Sequence, residues 1–369
     1  MGFSWGEREL SPRTKSYLRP GTPLMAGGRM TKKPGGIHLK ITTLLAASTA
    51  LAVSATTVFA DGHQDREGWP ESFTVGTASQ GGTYFAYGSG WANLVADELG
   101  MSGGGEVTGG PMQNMALVHT GEAAFGMTTM GPAAESLGGT NPIAPGLMMD
   151  NACAMFPMYQ TPFSVTTLAS SGITSIADIP AGAKIGFGPA GSTSDTYFPR
   201  MMETLGVDFE RRNGGWTDLG GQLQDGLLDV IAFAAGVPVP AVSQLEVQTD
   251  VNIIEFTEAE QATIMEAFPV SEFDIAADTY TTLEAPARSV SMWNFAIANC
   301  DLPASFVEAV VDVVMSDNER MMNIHRAARS TVPSNYDKNK VLMWHPGAAK
   351  WFMENAGAMI PAEMIHNDM

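Results

Sequence analysis

Three glycine-rich segments carry the residues best suited to hold a small molecule. They are Ser79-Gln80-Gly81-Gly82-Thr83-Tyr84, Thr108-Gly109-Gly110-Pro111 and Gly188-Pro189-Ala190-Gly191-Ser192-Thr193-Ser194. Each stands between a predicted strand and a predicted helix. Glycine allows the backbone to approach a ligand closely, and the free N–H groups at a helix start attract an anion. Hydroxyl side chains follow the glycines in the first and third segments. One such turn is ordinary α/β architecture. Three of them, spread over both halves of the chain, point to ligand contact. Ligands of open α/β sheets bind beyond the carboxyl ends of the strands, where these turns fall.

Catalytic and metal chemistry find no comparable support. The chain has no G-x-S-x-G elbow and no H-E-x-x-H pair. The histidines are scattered, and His345, in Trp344-His-Pro-Gly-Ala348, is expected to start a helix rather than to catalyse. No spacing pairs carboxylates for acid–base work. Six His and two Cys make a Cys/His zinc site unexpected. The 24 Met are expected to fill core gaps, with a few available to line an adaptable cleft. No catalytic residue, metal or cofactor is therefore expected.

The elements that must position the turns follow from the pattern along the chain. Its 369 residues carry 20 Lys+Arg against 39 Asp+Glu, a formal charge of −19. Nucleic-acid binding needs clustered positive charge, so it is excluded as an expectation. Residues 1–60 read as a leader and secretory signal. Eight basic residues end at Lys40, an uncharged stretch runs from Ile41 to Ala60, and small residues precede Asp61. Seven Ser and Thr in that stretch weaken a membrane-anchor reading. Translation from Met30 or Met25 fits the signal better than from Met1. Cleavage leaves 309 residues with 12 basic and 37 acidic side chains, a charge of −25. The expected location is the periplasm, where Cys153 and Cys300 either form a disulfide or stay as buried thiols. Export and the stiff Pro189 also argue against a nucleotide site at Gly186-Phe-Gly-Pro-Ala-Gly191, although that run fits G-x-G-x-x-G and Asp208 or Glu210 follows at the right distance.

In the exported chain short apolar runs alternate with helical patterns. Strands are predicted at 73–77, 106–108, 124–127, 163–168, 184–188, 230–234 and 290–298. Helices are predicted at 84–99 with Thr83 as N-cap, 112–120, 195–205, 219–226, 304–317, 318–328 and 346–356. Ile173–Ile179 reads as a turn or short helix. Alternation of this kind predicts parallel-rich mixed sheets covered by helices. The strand at 290–298 returns to the first half, so the expected layout is two α/β lobes joined by two crossings with a cleft at the hinge. Lobe 1 spans 61–165 and 290–369, and lobe 2 spans 166–289.

The motifs, in order, resemble one family. Val75-Gly-Thr-Ala-Ser-Gln-Gly-Gly-Thr-Tyr84 is followed by Thr108-Gly-Gly-Pro-Met-Gln-Asn114 and Gly121-Glu-Ala-Ala-Phe125. Ser171-Gly-Ile-Thr-Ser-Ile-Ala-Asp178 leads to Gly188-Pro-Ala-Gly-Ser192. Leu223-Gln-Asp-Gly-Leu-Leu-Asp229, Gly236-Val-Pro238 and His345-Pro-Gly-Ala348 complete the set. Together they are similar to the TAXI subfamily of solute receptors of TRAP-type transporters, over residues 73 to 357. The resemblance implies a type II-like periplasmic binding protein fold. It implies a monomeric receptor that closes around a small carboxylate-bearing solute, such as glutamate or 2-oxoglutarate. The solute then passes to a fused TRAP permease in the inner membrane. It also implies ligand contacts from Ser79, Gly82, Thr83, Tyr84 and Asn114 on one lobe and from Ser192, Thr193 and Ser194 on the other. Gly236 and Val237 are implied as backbone contacts. Gln80 and Thr193 depart from the family pattern, which bears on the ligand rather than on the fold. A less polar ligand is the alternative within the same class, and a secreted hydrolase is the alternative outside it.

Overall fold

The computed structural model describes residues 66–367. The leader expected over residues 1–60 lies outside the described residues.

The chain opens with β1 (Ser72–Gly76), α1 (Thr83–Leu99), β2 (Ser102–Glu106), α2 (Pro111–His119), β3 (Phe125–Thr129) and α3 (Met130–Leu137). A long strand, β4 (Ala152–Leu168), leads to β5 (Ala183–Gly186), α4 (Thr193–Thr204), β6 (Phe209–Arg212), α5 (Trp216–Gln224) and β7 (Val230–Ala234). Then come α6 (Pro240–Gln248), β8 (Val251–Ile254), α7 (Glu258–Ala267) and β9 (Ser271–Ile275). A second long strand, β10 (Ala287–Asn299), is followed by α8 (Ala304–Met315), α9 (Asn318–Ile324) and α10 (Pro346–Asn355).

Strand order is β2-β1-β3-β10-β4-β7-β5-β6, with β8 on β4 and β9 on β10. The pairs β1–β2, β1–β3, β5–β6 and β5–β7 are parallel, while every pair made by β4 and β10 is antiparallel. Two strands thus carry the hinge. The first part of β4 pairs with β10, and its last part, from Phe163 on, pairs with β7 and β8. β10 pairs with β9 through Ala287–Ser291 and with β3 through Asn294–Ala298. The cores change over at the same places. One apolar cluster takes Phe73 to Tyr159 and Phe295 to Ile360, and two others take residues between Phe163 and Met292. β4 is buried along nearly its whole length, as a strand covered on both faces requires.

Local chemistry explains the elements around the cleft. α1 buries Tyr84, Tyr87, Gly88, Trp91, Ala92, Val95 and Leu99, a one-faced helical spacing. Gly100 ends it in the left-handed region, with φ 61°. Its first helical residue is Thr83, not Tyr84, and the N-cap position belongs to Gly82. Thr83 was expected to cap the helix, but its hydroxyl turns away to the Gly236 carbonyl. Ser192 does cap α4, accepting from the Asp195 amide at 3.1 Å. His345 caps α10, its ring accepting from the Gly347 amide at 3.2 Å, in line with the expected helix start. β2 forms over Ser-Gly-Gly-Gly-Glu rather than 106–108. Its glycines win because a Cβ at 103 would lie 2.3 Å from the Phe73 ring and one at 105 would lie 2.5 Å from Ser89 Oγ. Cys153 and Cys300 form a disulfide between the start of β4 and the residue after β10.

Candidate functional site

The inter-lobe cleft encloses a cavity of about 30 Å³, room for about two waters. Gly82, Thr83 and Tyr84 of α1, Pro111 of α2, Ser192 and Thr193 of α4, and Trp216 of α5 contribute to its wall, with Ala78, Thr161, Ala234 and Ala235. Four helix N-termini, two from each lobe, therefore meet at one point. Hydroxyls of Thr83, Thr161, Ser192, Thr193 and Tyr84 lie among them, and no Lys or Arg lines the cavity.

The two lobes present different fields. No side chain caps α1 or α2, and neither has an acidic residue in its first turn. The first amides of α1 are left for water or for a ligand. At α2, Pro111 has no N–H, the Met112 amide donates across the cleft to the Gly191 carbonyl at 3.4 Å, and the Gly109 and Gly110 amides donate to Gln113 Oε1 and Thr108 Oγ1. α4 carries Asp195 in its first turn and α5 carries Asp218. The Asp195 carboxylate accepts from the Gly191 amide at 2.9 Å, from Asn213 Nδ2 at 2.5 Å and from Arg211. It braces the third glycine turn and offsets the dipole of α4. The favourable potential for an anion is concentrated at the start of α1.

Contacts across the cleft hold the lobes together. Thr83 Oγ1 donates to the Gly236 carbonyl. Thr129 and Thr193 share a hydroxyl hydrogen bond of 2.6 Å. The Ala241 amide donates to the Gly81 carbonyl at 3.0 Å. At the hinge, Tyr84 donates to Asn294 Oδ1 at 2.6 Å, and Asn294 Nδ2 donates to the Tyr159 carbonyl at 2.6 Å and to Thr161 Oγ1 at 2.8 Å. Burial pushes the phenols of Tyr84, Tyr87 and Tyr159 well up, so they stay protonated. His325, beyond the rim, accepts from the Ala327 amide through Nδ1 at 3.1 Å. Its Nε2 then carries the proton and donates to the Pro238 carbonyl at 3.0 Å. Burial draws the His325 pKa down, and the bond to Pro238 opposes part of that shift.

The glycines of the turns face the opposite lobe at close range. A Cβ at Gly81 would meet Thr217 Oγ1 at 2.7 Å, one at Gly82 would meet Trp216 Cδ1 at 2.8 Å, and one at Gly109 would meet the Ala190 carbonyl at 2.8 Å. Gly188, at φ 78°, lies under the Trp216 indole, which stacks on Phe233 with centroids 4.4 Å apart. At Gly81, Gly82 and Gly109 glycine serves the approach of lobe to lobe, and at Gly188 it makes room for Trp216 within lobe 2.

Gly82, Thr83, Tyr84, Ser192 and Thr193 meet at the cavity. The other expected contacts stand elsewhere. Ser79 sits just outside, its Oγ 3.5 Å from the Trp216 amide. Gly236 reaches the site only through Thr83, and Val237 is buried in the lobe-2 core. Ser194 Oγ accepts from the Ala234 amide at 2.6 Å, which ties α4 to β7. Asn114 is fully buried behind the wall. Its Nδ2 donates to the Thr77 and Met127 carbonyls, both at 2.9 Å, and its Oδ1 accepts from Thr108 at 2.7 Å. That amide fastens α2 to β1 and β3. Trp216, Thr161, Ala234 and Ala235 were not anticipated. Gly214-Gly215 before Trp216 is a fourth glycine-rich helix start, and that was the available signal for Trp216. Lys184, Arg200 and Arg288 do not line the cavity. Lys184 is exposed, Arg200 reaches Glu135, and Arg288 reaches the Phe256 carbonyl.

The molecule is similar to solved two-lobed structures. The periplasmic binding protein BugD matches with a TM-score of 0.52 at 12% identity, covering 78% of this chain and 99% of that one. MatC from Rhodopseudomonas palustris, solved with bound malate, matches with a TM-score of 0.51 at 15% identity, covering 78% of this chain and 98% of that one. These likenesses show the fold, the two-lobed α/β architecture of periplasmic binding proteins. The NMT1-like family profile matches residues 75–356, most of the sequence, and the chain belongs to the NMT1-like family.

Proposed function

We propose that the protein is an extracytoplasmic solute receptor of a TRAP-type transporter, of the TAXI kind, that captures a small organic acid or acidic amino acid. The observation that carries this reading is the meeting of four helix N-termini from two lobes at one small cavity with Thr83, Tyr84, Thr161, Ser192 and Thr193 on its wall. Such a wall can hold a carboxylate and offers no paired acid and base for catalysis. The cavity is too small for an organic acid with the lobes as they stand, so the solute enters with the lobes apart and is held as they close. The solute's carboxylate lies toward the start of α1, where no acidic side chain opposes it and no side chain caps the helix. Each hydrogen bond to a charged group contributes about 1.5–3 kcal/mol. A few of them reach the roughly 8 kcal/mol of a micromolar complex. The malate held by MatC, a dicarboxylate in the same fold, accords with this ligand class.

Ser79, Asn114, Ser194, Gly236 and Val237 act around this site, and Gly82, Thr83, Tyr84, Ser192 and Thr193 act in it. The solute passes to a TRAP permease in the inner membrane. The leader over 1–60 directs export, and among the described residues no helix is long and apolar enough to cross a membrane.

A neutral solute is the second reading, favoured by the absence of Lys and Arg from the cavity wall. A ligand panel read by thermal shift separates the two, because binding to the native state raises its melting temperature. Glutamate and 2-oxoglutarate are expected to raise Tm and glutamine to leave it unchanged. A shift with glutamine alone supports the neutral reading, and conversion of any ligand refutes the receptor assignment.

A further inference from the structure

We propose a second small-molecule site, separate from the cleft cavity, that takes an amphipathic aryl anion. It is the cavity of about 360 Å³ where α3, α4, the start of β9, the middle of β10 and residues 338–341 meet. That volume lies within the range of ligand pockets, and its wall has their character. Met130, Met292, Trp293, Tyr197 and Pro269 make an apolar slot with aromatic sides. Such a slot suits a planar apolar body.

Charge selects the other end of the ligand. Lys338 and Lys340 stand on the lining. Lys338 Nζ is 3.2 Å from Asp337, and Lys340 has no ion-pair partner among the described residues. The acid on the lining, Glu135, is already engaged. It accepts from the Tyr197 hydroxyl at 2.9 Å and from Arg200 at 3.2 Å. The unneutralised charge beside the slot is therefore positive, on a chain whose formal charge is −19. A carboxylate or sulfonate on an aromatic body complements both features.

The wall comes from both lobes. α3 and residues 338–341 belong with the first core, α4 and Pro269 with the second, and Ser291–Trp293 lie on the crossing strand β10. The shape of the slot thus depends on the angle between the lobes. A ligand that fits the closed shape favours closure and tightens solute binding in the cleft, and the solute returns the effect by the same factor.

The test is titration of the exported protein with 2-naphthoate by isothermal calorimetry, in the absence of any cleft solute. Saturable binding of one naphthoate per chain is expected. Lys340→Glu is expected to weaken it at least ten-fold. Ala134→Trp, at an exposed lining position, is expected to abolish it by filling the slot. Unchanged thermal melting of both variants keeps the comparison on folded protein. No saturable binding up to millimolar naphthoate overturns the proposal, as does equal affinity in the wild type and both variants. Neither result bears on the cleft as a solute site.

Discussion

Thr83, Asn114 and His325 illustrate how one side chain can serve closure, scaffold or pH response. Thr83 lines the cavity and also reaches across to Gly236. Thr83→Val removes the hydroxyl and leaves the Gly236 carbonyl without its donor in the closed form. Solute affinity is expected to fall about ten-fold, the equivalent of one hydrogen bond of roughly 1–1.5 kcal/mol, with the melting temperature of the unliganded protein little changed. Asn114→Ala does the reverse. It strands two backbone carbonyls and the Thr108 hydroxyl inside lobe 1. A stability loss of about 2–3 kcal/mol is expected in urea unfolding, with affinity retained by the folded fraction. His325 is neutral in the folded chain, and burial holds its pKa below the ordinary value of 6.5. The unfolded chain then binds more protons below pH about 6.5. This histidine's contribution to stability is present above that pH and is lost as pH falls toward the lowered folded value. His325→Gln is expected to flatten that part of a stability–pH curve, and an unaltered curve assigns the drop to other groups.

At the scale of elements, the glycine turns do two jobs, and only one was legible beforehand. Their place between strand and helix was plain from Gly81-Gly82, Gly109-Gly110 and Gly188–Ser194, and the structure sets all three at the cleft. Their closeness to the opposite lobe could not be read, because no local pattern reports a tertiary neighbour. Gly109→Ala places a methyl 2.8 Å from the backbone carbonyl of Ala190. It is expected to hold the lobes apart, seen as a larger radius of gyration by small-angle scattering with solute present and as affinity weakened more than ten-fold. Other elements were legible to different degrees. β7 falls on the predicted residues Val230–Ala234. α3 was missed because Met-Gly-Pro reads as a turn, yet Pro132 sits in its first turn, where a missing N–H costs nothing. α7 was missed although Thr257 and Glu260 form a full capping box before it. The first part of β4 was missed because a strand buried on both faces lacks alternation. Of the residues expected at the site, the cavity wall holds those at helix starts, whereas Asn114 is buried behind it and Thr161, on a strand, lines it without having been anticipated.

For the whole molecule, β4 and β10 carry the chain twice between the lobes, so the proposed closure is expected to turn about them. The Cys153–Cys300 disulfide locks the far end of that strand pair across a separation of 147 residues. The double substitution Cys153→Ala with Cys300→Ala is expected to cost about 2–4 kcal/mol in chemical unfolding, with solute affinity preserved because the bridge lies away from the cleft. The acidic surface repels an anionic solute only weakly at physiological salt, where the Debye length is about 8 Å. The proposed binding then rests on local donors at the start of α1. The most direct test is calorimetric titration of the exported protein with glutamate, 2-oxoglutarate and glutamine. Saturable one-to-one binding of a carboxylate ligand at micromolar affinity, weakened by Thr83→Val, is expected. Absence of binding by either dicarboxylate, or equal binding by the Thr83→Val variant, contradicts the assignment of the cleft as a carboxylate site.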